Sequence, residues 1–358
     1  MVDSIRERKK IIIFCQAPAD IPFVLTLYEK YNATSLISIY VINVQGMFDF
    51  LKDQNLNVKE LIYIPYSLRN IKSVNEILKE RKRINLLYKE YFENIKKGDI
   101  YFFAKYEDWV TASFVSRLAK NKSIKVNYVD HNDNLGELYK SRRIIPLKIV
   151  LYLSILKFIT NVWFKGSKIE ILPEFPFTNY NIKRIHLDVE KSVFIKHQYN
   201  FNFFEPENIN AILFVSPCEV TIFDPEEYDK ILVEVIEILQ KIGFSIFIKG
   251  HPRLGLPNNI ENIVNFVIPS YIPGEFINNN LFSLCLGIDT TAITHYAKHE
   301  KIPTYSLAKF FPASSLNLRN VAIEYLKQQS NHKINFCDTI NDLHTIALNI
   351  KTDFYARK

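Results

Sequence analysis

The chain has 358 residues, a formal net charge of +7 and nearly half of its residues hydrophobic. It is long and apolar enough for two domains with real cores, which excludes a disordered chain. Glycine is scarce at nine, and neither GxGxxG nor the Walker-type GxxxxGKS/T occurs, so a glycine-rich phosphate loop is excluded as well. The positive balance points to an anionic partner. The cysteines Cys15, Cys218, Cys285 and Cys337 are far apart and lack metal spacing, as expected of buried, reduced thiols. No metal or other cofactor is expected.

Met1–Lys10 is densely charged, and the apolar run Ile11–Phe14 is too short for a signal peptide. A cytoplasmic location is the expectation. From there strands and helices alternate: strand Lys10–Ala17, helix Ile21–Tyr31, strand Ser35–Asn43, helix Met47–Gln54 and strand Glu60–Tyr66. A long charged helix follows over Val74–Lys96, then strand Asp99–Ala104, helix Trp109–Ala119 and strand Lys125–Asp130. Strands separated by helix-length segments imply crossovers and a parallel sheet. The fifth strand runs into the polar loop Asp130-His131-Asn132-Asp133-Asn134-Leu135-Gly136.

No uncharged apolar run approaches the roughly 20 residues that span a bilayer. The segment Arg142–Lys168 comes closest: basic residues flank Ile149–Leu156, with Trp163 and Phe164 near its end. That composition suits a helix lying on an anionic membrane surface, and equally a buried helix of the first domain. Residues Ile169–Glu207 hold no helix pattern and read as the connection between domains 1–190 and 191–358.

Alternation restarts with strand Ala211–Val215. In the next helix Asp224 caps, Pro225 takes the first turn, Glu226 and Glu227 favour the positive end of the dipole, and Gly243 stops it. Strand Phe244–Ile248 then leads into Lys249-Gly250-His251-Pro252-Arg253. Strand Ile263–Ile268 precedes the turn Pro273-Gly274-Glu275, and strand Phe282–Ile288 ends in Asp289-Thr290-Thr291, where a helix begins. Strand Ile302–Leu307 and helices Leu318–Gln328 and Thr339–Ile350 close the chain, the last helix expected to reach back to the first domain. The expected fold is α/β: two Rossmann-type parallel-sheet domains facing a central cleft, the GT-B architecture.

Three turns should meet at the carboxyl edge of the second sheet, where open α/β sheets bind ligands. The helix-start amides and hydroxyls of Thr290 and Thr291 suit a phosphate, with Lys249 and His251 adding charge. Glu275 suits ribose hydroxyls. Plain helix capping would account for the two threonines equally well, and a helix-start carboxylate for Glu275.

Lys249-Gly250-His251-Pro252-Arg253, Pro273-Gly274-Glu275 and Gly287-Ile288-Asp289-Thr290-Thr291-Ala292 resemble, in order and spacing, the HP, PxE and Ser/Thr motifs of bacterial sialyltransferases and polysialyltransferases. These are GT-B enzymes that use CMP-sialic acid. The resemblance covers mainly residues 211–307. It implies that His251, with Lys249, Gly250 and Pro252 around it, contacts the CMP phosphate and assists its departure. It further implies that Glu275 binds the ribose, and Thr290 and Thr291 the phosphate. The family's acidic-acidic-glycine motif is absent here. Inversion needs a base facing the donor from the other domain, which favours Asp130 or Asp133 over Glu219, with Asp224 committed to its cap.

The expected function is thus inverting transfer of sialic acid or a related nonulosonic acid from a CMP-sugar to a glycan or glycolipid in surface polysaccharide synthesis. The alternatives are a CDP-glycerol-type polymer transferase and, last, a basic module binding membrane or nucleic acid. Nucleic acid is not an expected partner, because the basic residues form no stripe with interleaved aromatics.

Overall fold

In the computed structural model the described residues are 8–66, 73–103, 109–130, 154–155, 158–160, 182–187, 189, 208–217, 223–251, 255–257, 260–290, 292–299, 302–313 and 315–357. The chain divides into two compact units, Met1–Phe194 and Ile195–Lys358.

The first unit carries β1 (Lys9–Cys15), α1 (Ile21–Tyr31), β2 (Ser35–Ile42), α2 (Gln45–Asp53), β3 (Glu60–Ile64), α3 (Val74–Tyr91), β4 (Gly98–Phe102), α4 (Trp109–Leu118), β5 (Ile124–Asp130) and β6 (Ile182–His186). The second carries β7 (Asn210–Phe214), α5 (Pro225–Ile242), β8 (Ser245–Lys249), β9 (Phe266–Ile268), β10 (Leu284–Gly287), α6 (Ala292–His299), β11 (Thr304–Ser306), α7 (Leu316–Gln329), β12 (Asn335–Phe336) and α8 (Ile340–Ala356).

Each unit forms one six-stranded sheet, in the orders β3-β2-β1-β4-β5-β6 and β12-β11-β10-β7-β8-β9. All of the pairings are parallel. Counted within its own unit, each sheet has the same order, 3-2-1-4-5-6, that of the dinucleotide-binding fold. Parallel strands covered on both faces must be apolar on both, and β1 is: its last five residues are all buried. On one face of the first sheet Phe92, just past α3, packs its ring 5.1 Å from Phe14, 4.9 Å from Tyr40 and 4.8 Å from Phe114. The core of the second unit is built from α5 and the strands, with Val235, Ile236 and Leu239 against Ile246, Ile248 and Leu286.

Two features differ from the sequence expectations. The connection after β5 contains a strand: β6 pairs with β5, Val126 opposite Ile182 and Asp130 opposite His186. Its central residues Lys183 and Arg184 are exposed, as an edge strand permits. Strand β9 starts at Phe266 rather than Ile263, because a 3-10 turn occupies Ile260–Asn262 and the Asn265 side chain accepts from the amide of Ile246 at 2.8 Å. In the last helix Leu343 and Ala347 lie in the second core, and the Lys351 ammonium donates to the carbonyl of Ile242.

Candidate functional site

In a doubly wound sheet the crevice for a ligand opens where the strand order reverses, outside the carboxyl ends of the strands. In the first unit that point lies between β1 and β4. There the chain fills its own anion position: buried Asp20 accepts through Oδ2 from the amides of Gln16 at 2.8 Å and Ala17 at 2.9 Å. These are the first amides after β1, and a phosphate there would compete with a resident carboxylate. Nothing in the residue pattern around Asp20 marks this in advance.

In the second unit the reversal lies between β7 and β10. Strand β8 leads into this edge through Lys249 and Gly250. A Cβ on Gly250 would lie 2.6 Å from the carbonyl oxygen of Gly255, so only glycine lets the two backbones approach this closely. That approach closes a small loop: the His251 amide donates to the Gly255 carbonyl at 2.8 Å, and the Gly255 amide to the His251 carbonyl at 2.9 Å. Gly255 turns the chain with a φ of +76°, a left-handed conformation that glycine adopts without penalty. His251 is thereby fixed at its backbone at the sheet edge, partly exposed.

Lys249 is buried, and its ammonium donates to the carbonyls of Ser270 at 2.8 Å and Gly250 at 3.3 Å. Burial pushes its pKa down to about 8, with Glu275 acting in the opposite direction. The side chain therefore ties the end of β8 to the turn after β9, and sets a positive charge behind the His251 loop.

The next turn is a 3-10 turn over Gly274–Phe276, entered from extended Pro273, and it carries Glu275. A Cβ on Gly274 would sit 3.1 Å from the Phe214 ring and 3.2 Å from Cβ of Ala292, so this turn lies on the end of β7 and the start of α6. From α6, buried Tyr296 donates its hydroxyl to the Gly274 carbonyl at 3.2 Å. Its pKa stands well above the usual phenol value because of burial, then Cys285 and Glu275. The hydroxyl is thus a fixed neutral donor that holds the Glu275 turn from below.

The third turn follows β10. A Cβ on Gly287 would come 2.5 Å from a methyl of Ile293, which sets how closely α6 packs on the strand. The Ile288 carbonyl accepts from the Ser306 hydroxyl at 2.7 Å, fixing the chain before Asp289. Thr290 accepts through Oγ1 from the amide of Ala292 at 3.3 Å, and its hydroxyl proton remains to be donated. Asp289 is the residue that motif spacing passed over. Burial pushes its carboxyl up to about 6, against a backbone hydrogen bond that lowers it.

The turns after β8, β9 and β10 are therefore tied to one another, through Lys249 to Ser270 and through Gly274 to Ala292. Thr291, Pro252, Asp133 and Glu219 lie outside the described residues, as does most of the segment Arg142–Lys168. Asp130 ends β5, with its backbone in register with His186 of β6. Cys15, Cys285 and Cys337 are buried and reduced, and Cys218 lies outside the described residues.

No family model matches the chain, and no curated protein matches it. Solved structures do. One is Arabidopsis thaliana UGT89C1 complexed with UDP-L-rhamnose, at a TM-score of 0.52 and 10% identity, covering 96% of this chain and 89% of that one. Another is Methanocaldococcus jannaschii UDP-GlcNAc 2-epimerase in complex with UDP-GlcNAc and UDP, at a TM-score of 0.50 and 15% identity, covering 95% and 93%. Identities this low speak for the fold alone. With two units of 3-2-1-4-5-6 order, the chain has the α/β GT-B-like fold of two Rossmann-type domains.

Proposed function

We propose that the chain is an inverting glycosyltransferase that takes sialic acid, or a related nonulosonic acid, from a CMP-sugar to a glycan or glycolipid acceptor. It would act in surface polysaccharide synthesis, in the cytoplasm at an anionic membrane surface. The observation that carries the site is the linking of three turns at the carboxyl edge of the second sheet: His251 after β8, Glu275 after β9 and Thr290 before α6. The first unit's equivalent position, filled by Asp20, supports placing the nucleotide in the second.

In this proposal Thr290, Thr291 and the start of α6 hold the CMP phosphate, and Glu275 holds the ribose. Gly250 lets the loop that carries His251 close, Pro252 is assigned to the same nucleotide site, and buried Lys249 supplies positive potential there. As the bond from the sugar to the phosphate oxygen breaks, CMP departs with an added negative charge. Preorganised cationic and hydroxyl groups stabilise that charge without reorganising, so no metal is required. His251 assists departure. A carboxylate of the first unit, Asp130 or Asp133, takes the proton of the acceptor hydroxyl as it attacks the opposite face of the sugar. For Asp130 the support is positional: it ends a strand of the sheet, whereas a catalytic group must be held to a fraction of an ångström.

A UDP-sugar donor is the alternative, because the solved structures of similar fold are complexes with UDP-sugars. A CDP-glycerol donor rests on the HP turn and the later Ser/Thr motif, and Pro273-Gly274-Glu275 favours the CMP-sugar over it. Thermal unfolding with CMP, CDP, UDP and GDP separates the three. A ligand that binds only the native state at about 100 times its Kd stabilises it by roughly 2.7 kcal/mol. The proposal expects CMP to raise the midpoint most. A larger shift with UDP would replace the donor, and no shift with any nucleotide would remove the site.

A further inference from the structure

Helix α3 is capped and anchored like a core helix, yet among the described residues its outer face leaves large apolar side chains exposed. Ser73 accepts from the amide of Glu76 at 3.3 Å, and the Glu76 carboxylate accepts from the Ser73 amide at 3.2 Å, so the first turn is fully formed. The inner face is buried at Ile84 and Glu80, the latter taken by the Tyr66 hydroxyl at 2.7 Å and by Arg83 at 3.5 Å.

The outer face is unusual. Among the described residues seven large hydrophobics are exposed, and three of them, Val74, Leu78 and Leu86, lie on this one helix at 71, 52 and 56%. A fourth, Phe158, adjoins it, with the guanidinium of Arg81 4.3 Å above its ring. The other three are scattered over α7 and α8 of the second unit. At about 100° per residue, Leu78, Lys89, Lys82, Leu86 and Lys79 share an arc of roughly 100°. All five are exposed. No acidic residue falls within the arc. Glu80 is buried on the inner side, Glu76 is bound in the cap, and Glu90 lies beyond the edge.

Leucines alternating with lysines on one exposed, rigid helical face suit neither a protein core nor an ordinary solvated surface. An exposed apolar cluster marks an interaction site. Apolar side chains set among lysines match the depth profile of an anionic bilayer, where leucines enter the acyl boundary and ammonium groups stay among the headgroups. We infer that the outer face of α3, with Phe158 beside it, is the surface by which the protein docks on anionic lipid. This rests on the membrane part of the function proposed above, and names the surface that part leaves open.

Near an anionic surface each lysine adds about fivefold to binding, so three together are worth about a hundredfold at low salt. The test is co-sedimentation of the full chain with vesicles of phosphatidylcholine alone and of equal parts phosphatidylcholine and phosphatidylglycerol, at low and high salt. Two variants are compared with wild type, Leu78→Glu/Leu86→Glu and Lys79→Glu/Lys82→Glu/Lys89→Glu. All five positions are exposed, and thermal unfolding checks that both variants fold. The inference expects wild type to bind only the anionic vesicles, more weakly in high salt, and each variant to lose binding at least tenfold while CMP binding is kept. If wild type binds the anionic vesicles and the variants bind equally, α3 is not the surface, though the membrane reading stands. If wild type binds neither vesicle, the membrane reading fails and the inference with it. If α3 instead pairs two copies, sedimentation velocity shows a wild-type dimer that the leucine variant dissociates, which also overturns it.

Discussion

The loop that carries His251 depends on one close approach, and Gly250→Ala tests it. The added methyl would meet the Gly255 carbonyl oxygen at 2.6 Å and its carbon at 2.7 Å. These are backbone atoms, so the clash is relieved only by opening the loop. Opening it breaks the reciprocal pair between His251 and Gly255, at 2.8 and 2.9 Å. Two such bonds are worth about 1–3 kcal/mol together, and overpacking costs a similar amount. A total of about 2–6 kcal/mol, at roughly 2–4 °C per kcal/mol in a unit of this size, lowers its unfolding midpoint by roughly 4–24 °C. The assay is calorimetric unfolding alongside a CMP titration. Gly255→Ala is the control: a Cβ there meets nothing within 4 Å, leaving only the strain of a φ of +76°, about 1–2 kcal/mol. Gly250→Ala should therefore be the more destabilised of the two, and should bind CMP at least tenfold more weakly. Equal midpoints for wild type and Gly250→Ala would refute the close approach, and unchanged CMP affinity would separate the loop from the donor site.

Tyr296→Phe removes the donor to the Gly274 carbonyl; it should cost about 1–2 kcal/mol in urea unfolding and weaken CMP severalfold by loosening the Glu275 turn. Asp289→Asn should change the pH profile of stability. Its folded pKa of about 6 lies above the unfolded value of 3.8, so the wild-type contribution is complete below pH 4 and lost as pH rises through 6. The difference is on the order of 2–3 kcal/mol, and the variant should show a flatter dependence of melting temperature between pH 4 and 7. Asp130→Asn should lower transfer on the order of a hundredfold or more with CMP affinity intact, Asp133→Asn and Glu219→Gln less so; collapse at either of those instead moves the base there.

Much of this architecture is legible in the residues because fully buried parallel strands leave a strong trace. The run Ile11–Phe14 and the block Phe244–Ile248 are apolar on both faces, and helix α5 is bracketed by Pro225 and by Gly243, which takes a φ of +110°. What escaped does so for physical reasons. Strand β6 is paired on one side only and shows two exposed basic residues, so no apolar period reveals it. Strand β12 is two residues long. In the site, motif spacing brings out His251, Glu275 and Thr290, but not the groups that hold them. Tyr296 looks like any helix-face aromatic until its hydroxyl is seen to reach a carbonyl 22 residues away. Lys249 reads as one of a basic trio, yet its ammonium is spent on backbone carbonyls, which only the fold can decide. Asp20 is likewise defined by the two amides it accepts from.

The most direct test of the account is the release of CMP from CMP-sialic acid in the presence of a glycan acceptor, measured for wild type and His251→Ala with UDP-sugar and CDP-glycerol donors in parallel. The account predicts acceptor-dependent CMP release by wild type. For His251→Ala it predicts a loss on the order of a hundredfold or more, with a far smaller effect on folding, since the loop is also held by its backbone. Wild-type turnover in His251→Ala, or transfer from a UDP-sugar or CDP-glycerol and not from CMP-sialic acid, would contradict it.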